Sequence, residues 1–251
     1  MSLSPSPSRD VKCSERLQAV ARWVPAGTTV ADIGADHAHL LIHLVLRKRI
    51  EKGIAGELNK GPFENARSQV RRWGLSDRIE VRRGDGLSVL KEGEADVIVI
   101  AGMGGPLIAK ILDQGREKLS GAFRLVLQPN TGGERVRRWL RQNGWAPVGE
   151  TLVEEGGTLY EIIAAERGED EALYRQPPAS EEQLLLLGPL LWKEKHPLLI
   201  KKWLQELAAR ERILERVRAG RTEEAARRAA QLEEEIAQWR RLRKWLCEEN
   251  P

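Results

Sequence analysis

The chain has 251 residues, a formal net charge of +4, and 31% charged against 41% hydrophobic residues. This size allows one large domain, or one domain with an appendage, around a core of ordinary size. Cys13 and Cys247 lie far apart, which argues against a disulfide framework. No apolar run reaches membrane-spanning length, and residues 1–9 lack the features of a signal peptide. We therefore expect a cytoplasmic protein with reduced thiols.

Strand-like and helix-like segments alternate along the N-terminal part of the chain. A helix capped by Ser14 is predicted over 14–24. The nearly continuous apolar strands that follow are typical of a parallel sheet covered on both faces. Two later runs joined by Glu-Glu-Gly-Gly predict an antiparallel hairpin that ends the sheet. The predicted strands are 29–33, 53–57, 79–83, 95–101, 123–127, 145–153 and 158–165, and the predicted helices are 38–49, 62–73, 106–112 and 134–143.

The composition changes beyond the hairpin. A charged segment, 167–180, is predicted to be a linker. Beyond it, apolar residues recur with a heptad-like rhythm in two stretches joined by a turn at 219–222, which predicts an antiparallel, coiled-coil-like helical hairpin. The expected domains are therefore residues 1–168 and residues 177–251.

The apolar stripe of this helical hairpin has two possible uses. Packing or dimerisation is one, and an arm that grips RNA is the other. We favour RNA binding, with the protein a monomer rather than a dimer, because basic residues accompany the stripe: Lys201, Lys202, Arg210, Arg218 and Arg221.

The segment 30–40, Val-Ala-Asp-Ile-Gly-Ala-Asp-His-Ala-His-Leu, runs from a strand through a small-residue turn into a helix. Such a turn lets backbone N–H groups and a helix N-terminus approach a ligand closely. The carboxylates of Asp32 and Asp36 would repel a pyrophosphate but not a cationic amine or sulfonium. This contrast favours S-adenosylmethionine over NAD. A dehydrogenase, the first alternative, would need glycine at Asp36 and near 38–39.

Further candidate residues follow the next three strands, at the edge where such sheets bind ligands. Glu57 ends the second strand, where a carboxylate can bind ribose hydroxyls. Asp85 can accept a hydrogen bond from an adenine amino group, and Gly86 lets the backbone reach the ring. The segment 101–105, Ala-Gly-Met-Gly-Gly, implies close backbone approach to the methyl donor and an incoming base.

Amide and histidine side chains of the sheet region are further candidates, with more than one possible role. Gln128 and Asn130 follow the fifth strand, and their amides could bind a base edge or belong to an ordinary turn. Histidines occur at His37, His39 and His43, but a further matched ligand is missing, so we expect no metal site. His37 is instead predicted to form a wall of the pocket.

Basic residues cluster in several places with tryptophans among them. This pattern suits a folded RNA, for which phosphates give affinity and shape gives selectivity. A solvated, charge-rich surface is the alternative, and some of the tryptophans must belong to the core. The clusters are Arg67, Arg71 and Arg72; Arg78, Arg82 and Arg83; Arg135, Arg137, Arg138 and Arg141; Lys193, Lys195, Lys201 and Lys202; and the tryptophans are Trp73, Trp139, Trp192 and Trp203.

Several motifs together resemble the bacterial tRNA (adenine-22-N1)-methyltransferase family. The segments are DIGADHAHL, GELNKGPFENARSQV, RRGDGLSVL, ADVIVIAGMGGPLIAKIL, LQPN and VEEGGTLYEII. The resemblance implies an α/β fold, a Rossmann-like class I methyltransferase sheet with a terminal antiparallel hairpin and a C-terminal α-helical, coiled-coil-like domain. It also implies S-adenosylmethionine as donor and a D-loop adenine of tRNA as acceptor, with no membrane or DNA partner.

The resemblance also assigns residues to the two sides of the expected site. The donor-binding residues it implies are Asp32, Gly34, Ala35, Glu57, Leu58, Asn59, Asp85, Gly86, Ala101 and Gly102. The catalytic residues facing the target base are Asp36, His37, Met103, Gly104 and Asn130. Two alternatives stay open: a methyltransferase for another RNA or a protein, and a tRNA-binding module without activity.

Overall fold

A seven-stranded sheet forms the centre of the structure, a computed structural model that describes residues 13–247. The strand order is β3-β2-β1-β4-β5-β7-β6, with β7 antiparallel to both of its neighbours and the other pairs parallel. The strands are β1 Thr28–Ile33, β2 Ile50–Glu57, β3 Ile79–Arg83, β4 Val97–Gly104, β5 Arg124–Thr131, β6 Trp145–Glu155 and β7 Thr158–Arg167. The predicted parallel sheet with a terminal hairpin is confirmed. The prediction about a signal peptide concerns residues 1–9, which lie outside the described residues.

Helices cover both faces of the sheet. They are α1 Glu15–Arg22, α2 His39–Leu46, α3 Lys60–Arg72, α4 Gly105–Gln114 and α5 Gly133–Gln142. Alternate residues of β4 face opposite layers: Val99 packs with α1 to α3, whereas Ile98 and Ile100 pack with α4 and α5. All three side chains are fully buried, so the continuous apolar run of β4 serves two cores.

Two strands are longer than their apolar runs predict. β4 extends to Gly104 and β5 to Thr131, because backbone pairing continues through Met103 with Pro129 and Gly104 with Thr131. The glycine-rich segment and the Gln-Pro-Asn segment therefore lie largely within strands, and their prediction as loops after the strands is wrong. Hydropathy marks only the buried part of a strand, and here the backbone pairing extends several residues beyond the buried part.

The C-terminal part of the chain is helical. Its helices are α6 Glu181–Leu187, α7 Pro189–Lys193, α8 Leu199–Arg218 and α9 Glu223–Cys247. Trp203, Leu207 and Leu214 of α8 are buried against Leu232 and Ile236 of α9. The prediction that this apolar stripe serves for packing is therefore confirmed for these residues. Within the part of the chain that the structure describes, no helix is both long and apolar enough to cross a membrane.

The structure specifies the linker segment and the tryptophans that belong to the core. The segment 167–180 contains a short helical turn, Glu171–Tyr174, whose Tyr174 is buried in the C-terminal core, so it is not simply an exposed connector. Trp139, Trp192 and Trp203 are buried, so they cannot stack on RNA bases.

Ion pairs take up many of the clustered basic residues. Arg82 binds Glu80 and Glu94, and Arg141 binds Asp170 and Glu181. These ion pairs are what the alternative of a solvated, charge-rich surface predicts at these positions. Other clustered residues are engaged in the same way: Arg137 with Glu150 and Glu161, Arg138 with Glu182, Lys201 with Glu154, Lys202 with Glu161, Arg210 with Glu206 and Arg218 with Glu233.

Candidate active site

The turn after β1 is held against the end of β2. The N–H of Gly34 donates to the carbonyl oxygen of Gly56 over 2.8 Å, and the N–H of Asp36 donates to the Glu57 carboxylate. Gly34, Asp36 and Ala38 have φ values of 74°, 51° and 54°. The left-handed backbone conformation is unfavourable for residues that have a Cβ, such as Asp36 and Ala38. Two such residues in one turn indicate that the surrounding structure imposes the shape of the turn.

Asp32 is a buried carboxylate at the end of β1. Its residue is only 5% exposed, and among residues 13–247 no hydrogen bond to its carboxylate is formed. Burial and the neighbouring Glu57 charge together raise its pKa to about 7, against the opposing effect of Arg16. A buried acid without a donor is suited to a cationic ligand group.

Glu57 sits beside Asp32 at the end of β2 and is also buried. Burial raises its pKa, while the hydrogen bond from the Asp36 N–H lowers it. Because that N–H contacts Oε1, Oε2 remains for the hydroxyls of a ribose. Leu58 and Asn59, which follow Glu57, are exposed at the same edge.

The end of β4 approaches the turn through Met103. A Cβ added to Gly34 would lie 2.2 Å from the Met103 Cε, so the absence of a side chain at Gly34 makes room for this methyl group. Gly102 has φ 79°, which favours glycine, and Ala101 precedes it half-buried. The structure therefore brings Gly34 and Met103 together, as predicted.

An amide network fixes the neighbouring strand end. Gln128 is fully buried, and its Oε1 accepts from Arg16 Nη1 over 2.6 Å and from the Gly102 N–H over 3.0 Å. Its Nε2 donates to Asn130 Oδ1 over 3.1 Å, and Asn130 Nδ2 donates to the Gly102 carbonyl over 2.8 Å. Gln128 therefore cannot read a base edge, contrary to one predicted use. Asn130 is exposed and keeps one N–H and one lone pair for a ligand.

Two backbones meet beside this network. A Cβ added to Gly105 would lie 1.9 Å from the carbonyl oxygen of Gly132. Because Gly105 follows β4 and Gly132 follows β5, this contact sets the spacing between Gly104 and Asn130.

Asp36 and His37 project from the turn. Asp36 is exposed, and its Oδ1 lies 3.6 Å from His37 Nε2. The ring of His37 stacks on His39 with centroids 5.3 Å apart. Burial and the neighbouring His37 lower the pKa of His39, and the Asp36 carboxylate opposes them. Within the described ranges, no group of three or more His, Cys, Asp or Glu could hold a metal ion.

Asp85 and Gly86 lie further along the edge, after β3. They line a cavity of about 490 Å³ together with Leu87 and Ile111. Gly86 has φ 51°, and a Cβ added there would come within 3.1 Å of Ile111. The segment after β3 also adjoins the end of β2, because the N–H of Gly84 donates to the carbonyl oxygen of Glu57 over 2.9 Å.

Arg16 is a residue of this edge that sequence reasoning missed. It comes from α1, far away in sequence, and reaches the strand ends through Gln128. Its position after the helix cap Ser14 carried no signal of this contact.

Comparisons with known proteins agree on one family. A sequence model described as tRNA (adenine(22)-N(1))-methyltransferase matches residues 30–241. The Bacillus subtilis tRNA (adenine(22)-N(1))-methyltransferase is 47% identical over 208 residues, covering 83% of this chain and 87% of that protein. The crystal structure of the B. subtilis M1A22 tRNA methyltransferase is similar with a TM-score of 0.86 and 43% identity, covering 93% of this chain and 99% of that chain.

A ligand-bound structure is similar as well. Streptococcus pneumoniae Sp1610, a candidate tRNA (m1A22) methyltransferase in complex with S-adenosyl-L-methionine, has a TM-score of 0.78 and 37% identity, covering 91% of this chain and 98% of that chain. The sheet order, the strand-end carboxylates and these similarities lead to one conclusion: the chain belongs to the tRNA (adenine(22)-N(1))-methyltransferase family.

Proposed function

We propose that this protein transfers a methyl group from S-adenosylmethionine to N1 of adenine 22 in tRNA. The observation that carries the proposal is the convergence of Asp32, Glu57 and the Gly102–Asn130 contact at one sheet edge. The same activity is named for the B. subtilis relative.

The residues at this edge fit the donor chemically. Asp32 offers a buried, donor-free carboxylate to a cationic group, and Glu57 offers a free oxygen to ribose hydroxyls. Gly34 and Gly102 present backbone without side chains, so a ligand can approach closely. When bound, S-adenosylmethionine supplies a methyl group already activated by its sulfonium.

The protein's own contribution is then mainly positioning. Adenine N1 carries its lone pair in the ring plane, so the base must be unpaired or flipped out for N1 to be reached. The free N–H and lone pair of Asn130 suit the edge of such a base, with Gln128 holding the amide in orientation. Correct alignment of reacting atoms can supply up to about 7–11 kcal/mol of the barrier.

The direct test is methylation of a tRNA transcript with isotopically labelled donor, followed by mass-spectrometric mapping. We expect a single modified adenine at position 22, and no labelling of a transcript in which that adenine is replaced by guanine. Labelling of another RNA or of protein in place of this adenine would favour the alternative substrate class.

Asp36 is proposed to stabilise the positive charge that methylation leaves on the adenine. Replacing Asp36 with Asn is expected to lower the single-turnover methylation rate about 10- to 100-fold, because an exposed carboxylate contributes less than a buried one. Donor affinity measured by calorimetry should change little. The matched control is Asp77→Asn, an exposed aspartate remote from the site. Full turnover in Asp36→Asn would contradict this role.

The raised pKa of Asp32 predicts how donor affinity depends on pH. The ionised carboxylate binds a cation, and Asp32 ionises only as pH rises through about 7. We therefore expect the affinity for S-adenosylhomocysteine to rise about tenfold per pH unit below pH 7 and to level off above it. Calorimetry across this range checks the slope. In Asp32→Asn the slope should become shallower, and an unchanged slope would contradict the assignment.

We propose residues 1–168 as the donor-binding domain and residues 177–251 as the tRNA-binding domain of a cytoplasmic monomer that does not act on DNA. Support for the second domain comes from exposed arginines on α8. Arg212 and Arg216 lie one helical turn apart, and neither forms an ion pair with any residue in the described part of the chain.

Replacing Arg212 and Arg216 together with Gln is expected to weaken tRNA binding about tenfold near 0.1 M salt and to reduce the dependence of log K on log salt by about 1–2. Donor affinity should stay the same. Arg175→Gln is the control, since Arg175 is equally exposed but lies outside the helices and pairs with Glu171. Filter binding of both variants at several salt concentrations measures the difference. An unchanged salt dependence in the double variant would mean that tRNA binds to another surface.

A further inference from the structure

A cavity of about 240 Å³ adjoins the base side of the candidate site. It lies where the end of β5 and the start of α5 face α8. Asn130 and Thr131 line it from β5, Glu134 lines it from α5, and Lys202 and Gln205 line it from α8. Because the proposed function places the target base at Asn130, a group bound in this cavity lies next to that base.

The charges around this cavity disfavour an anionic ligand. Three carboxylates line it, those of Glu134, Glu161 and Glu206, against the ammonium group of Lys202. That ammonium is already engaged, since Lys202 Nζ lies 2.9 Å from Glu161 Oε1 and also contacts Oε2. Glu206 in turn pairs with Arg210 over 2.9 Å. A phosphate group would therefore meet a surplus of negative charge, whereas a neutral ligand would not.

The uncharged part of the lining combines free polar groups with an apolar wall. The Thr131 hydroxyl and the Gln205 amide form no hydrogen bond within the part of the chain that the structure describes, and both residues are exposed. Leu152, Leu159 and Leu186 line the cavity as well and supply its apolar wall. A flat group with apolar faces and a polar edge fits such a lining, and a nucleobase has this form.

The position of Gln205 on α8 connects the cavity with the surface that we propose for tRNA binding. Arg212 and Arg216 follow Gln205 by seven and eleven residues, which correspond to about two and three helical turns. The three residues therefore lie on one face of α8, with Gln205 about 10 Å from Arg212 along the helix axis. An RNA strand bound by the two arginines can follow this face to the cavity beside Asn130.

We propose that this cavity binds a nucleobase of the tRNA that flanks the methylated adenine, with Gln205 and Thr131 contacting its polar edge. This inference rests on the proposed function and names a second point at which the same site recognises its substrate. Enzymes that act on an extruded base obtain sequence context from contacts to the flanking nucleotides. An amide and a hydroxyl each offer a donor and an acceptor, so both side chains can pair with a base edge. Gln205 and Thr131 are therefore specificity residues rather than catalytic residues.

The test combines one change in the protein with one change in the RNA. Gln205→Met removes the amide and keeps the length of the side chain. We measure kcat/KM for methylation of tRNA that is intact, or abasic at the nucleotide immediately 5′ or immediately 3′ of adenine 22. One of the two abasic sites is expected to lower kcat/KM about 10-fold in the wild-type protein but only about 2- to 3-fold in Gln205→Met, because the variant has already lost its hydrogen bond to that base.

Two further variants make the result specific. Thr131→Val removes the hydroxyl and keeps the branched shape, so it should also reduce the effect of the same abasic site, and it replaces Gln205→Met as the test if the latter does not fold. Gln142→Met is the matched control, since Gln142 is exposed at the far end of α5, and it should show the wild-type effect of the abasic site.

The outcomes separate this inference from the function on which it rests. An equal effect of the abasic site in the wild-type protein and in Gln205→Met would show that the amide does not contact that base, and would overturn the inference. Full activity of the wild-type protein on both abasic tRNAs would overturn it as well. Failure of the wild-type protein to methylate adenine 22 of intact tRNA would contradict the proposed function itself.

Discussion

Replacing Arg137 with Met is expected to lower the free energy of unfolding by about 3–5 kcal/mol, because the change leaves buried carboxylates without their cation. Arg137 is fully buried, with Nε 2.6 Å from Glu150 Oε1 and Nη2 3.1 Å from Glu161 Oε2. Its Nη1 donates to the carbonyl oxygen of Leu185 over 2.9 Å. Lys202 remains on Glu161, but Glu150 would keep only the backbone N–H groups of α7.

The next residue of the same helix provides the control. Arg138 pairs with Glu182, with side chains 39% and 64% exposed, so Arg138→Met should cost less than about 1 kcal/mol. Urea denaturation of both variants, followed by circular dichroism, measures the difference. Equal effects at the two positions would contradict the role assigned to the buried pair.

The buried network also bears on how the two proposed domains are related. Arg137 and Glu161 belong to the sheet region, whereas Lys202 lies on α8 and the Leu190 N–H that binds Glu150 lies on α7. The C-terminal helices therefore supply partners to the buried carboxylates of Glu150 and Glu161. Removing these helices would leave both carboxylates with fewer partners. For this reason we test tRNA binding with surface substitutions rather than by deleting residues 177–251.

Local patterns predicted the sheet well, because strand hydropathy and strand-end chemistry are local properties. β3 lies at the predicted 79–83, and the turn after β1 meets Glu57 as expected for neighbouring parallel strands. The same rule, that the carboxyl ends of neighbouring parallel strands meet at one edge, also predicts that Asp32, Gly34 and Met103 lie close together. Asp85 follows β3, one strand further from β1, and the preceding Gly84 donates its N–H to the Glu57 carbonyl oxygen.

Long-range pairing set the limit of sequence reasoning. Arg137 and Arg138 are adjacent in a basic cluster, yet one is buried and the other exposed. The difference depends on Glu150 and Glu161, which the fold brings from β6 and β7. Gln128 is a similar case. The sequence suggested that its amide binds a ligand, but in the structure its hydrogen-bond partners come from α1 and β4. No local period or spacing encodes such contacts.

Gly105→Ala is expected to reduce the methylation rate at least about 100-fold. The added Cβ would lie 1.9 Å from the Gly132 carbonyl oxygen and 2.6 Å from its carbon, both backbone atoms that cannot rotate away. The segments after β4 and β5 would therefore have to separate by an ångström or more. That movement displaces Gly104 from Asn130, and a displacement of about 1 Å can cost about 100-fold in rate.

Gly168→Ala is the matched control for this prediction. A Cβ at Gly168 would meet only the Ala146 Cβ, at an ordinary 3.6 Å, and the residue is exposed and remote from the site. Single-turnover methylation and calorimetry with S-adenosylhomocysteine should show normal values for this variant. In Gly105→Ala we expect donor affinity to fall less than the rate, because Asp32 and Glu57 lie on β1 and β2, away from the Gly105–Gly132 contact. Normal turnover in a folded Gly105→Ala protein would show that the two strand ends tolerate separation, and that the contact does not set the distance between donor and base.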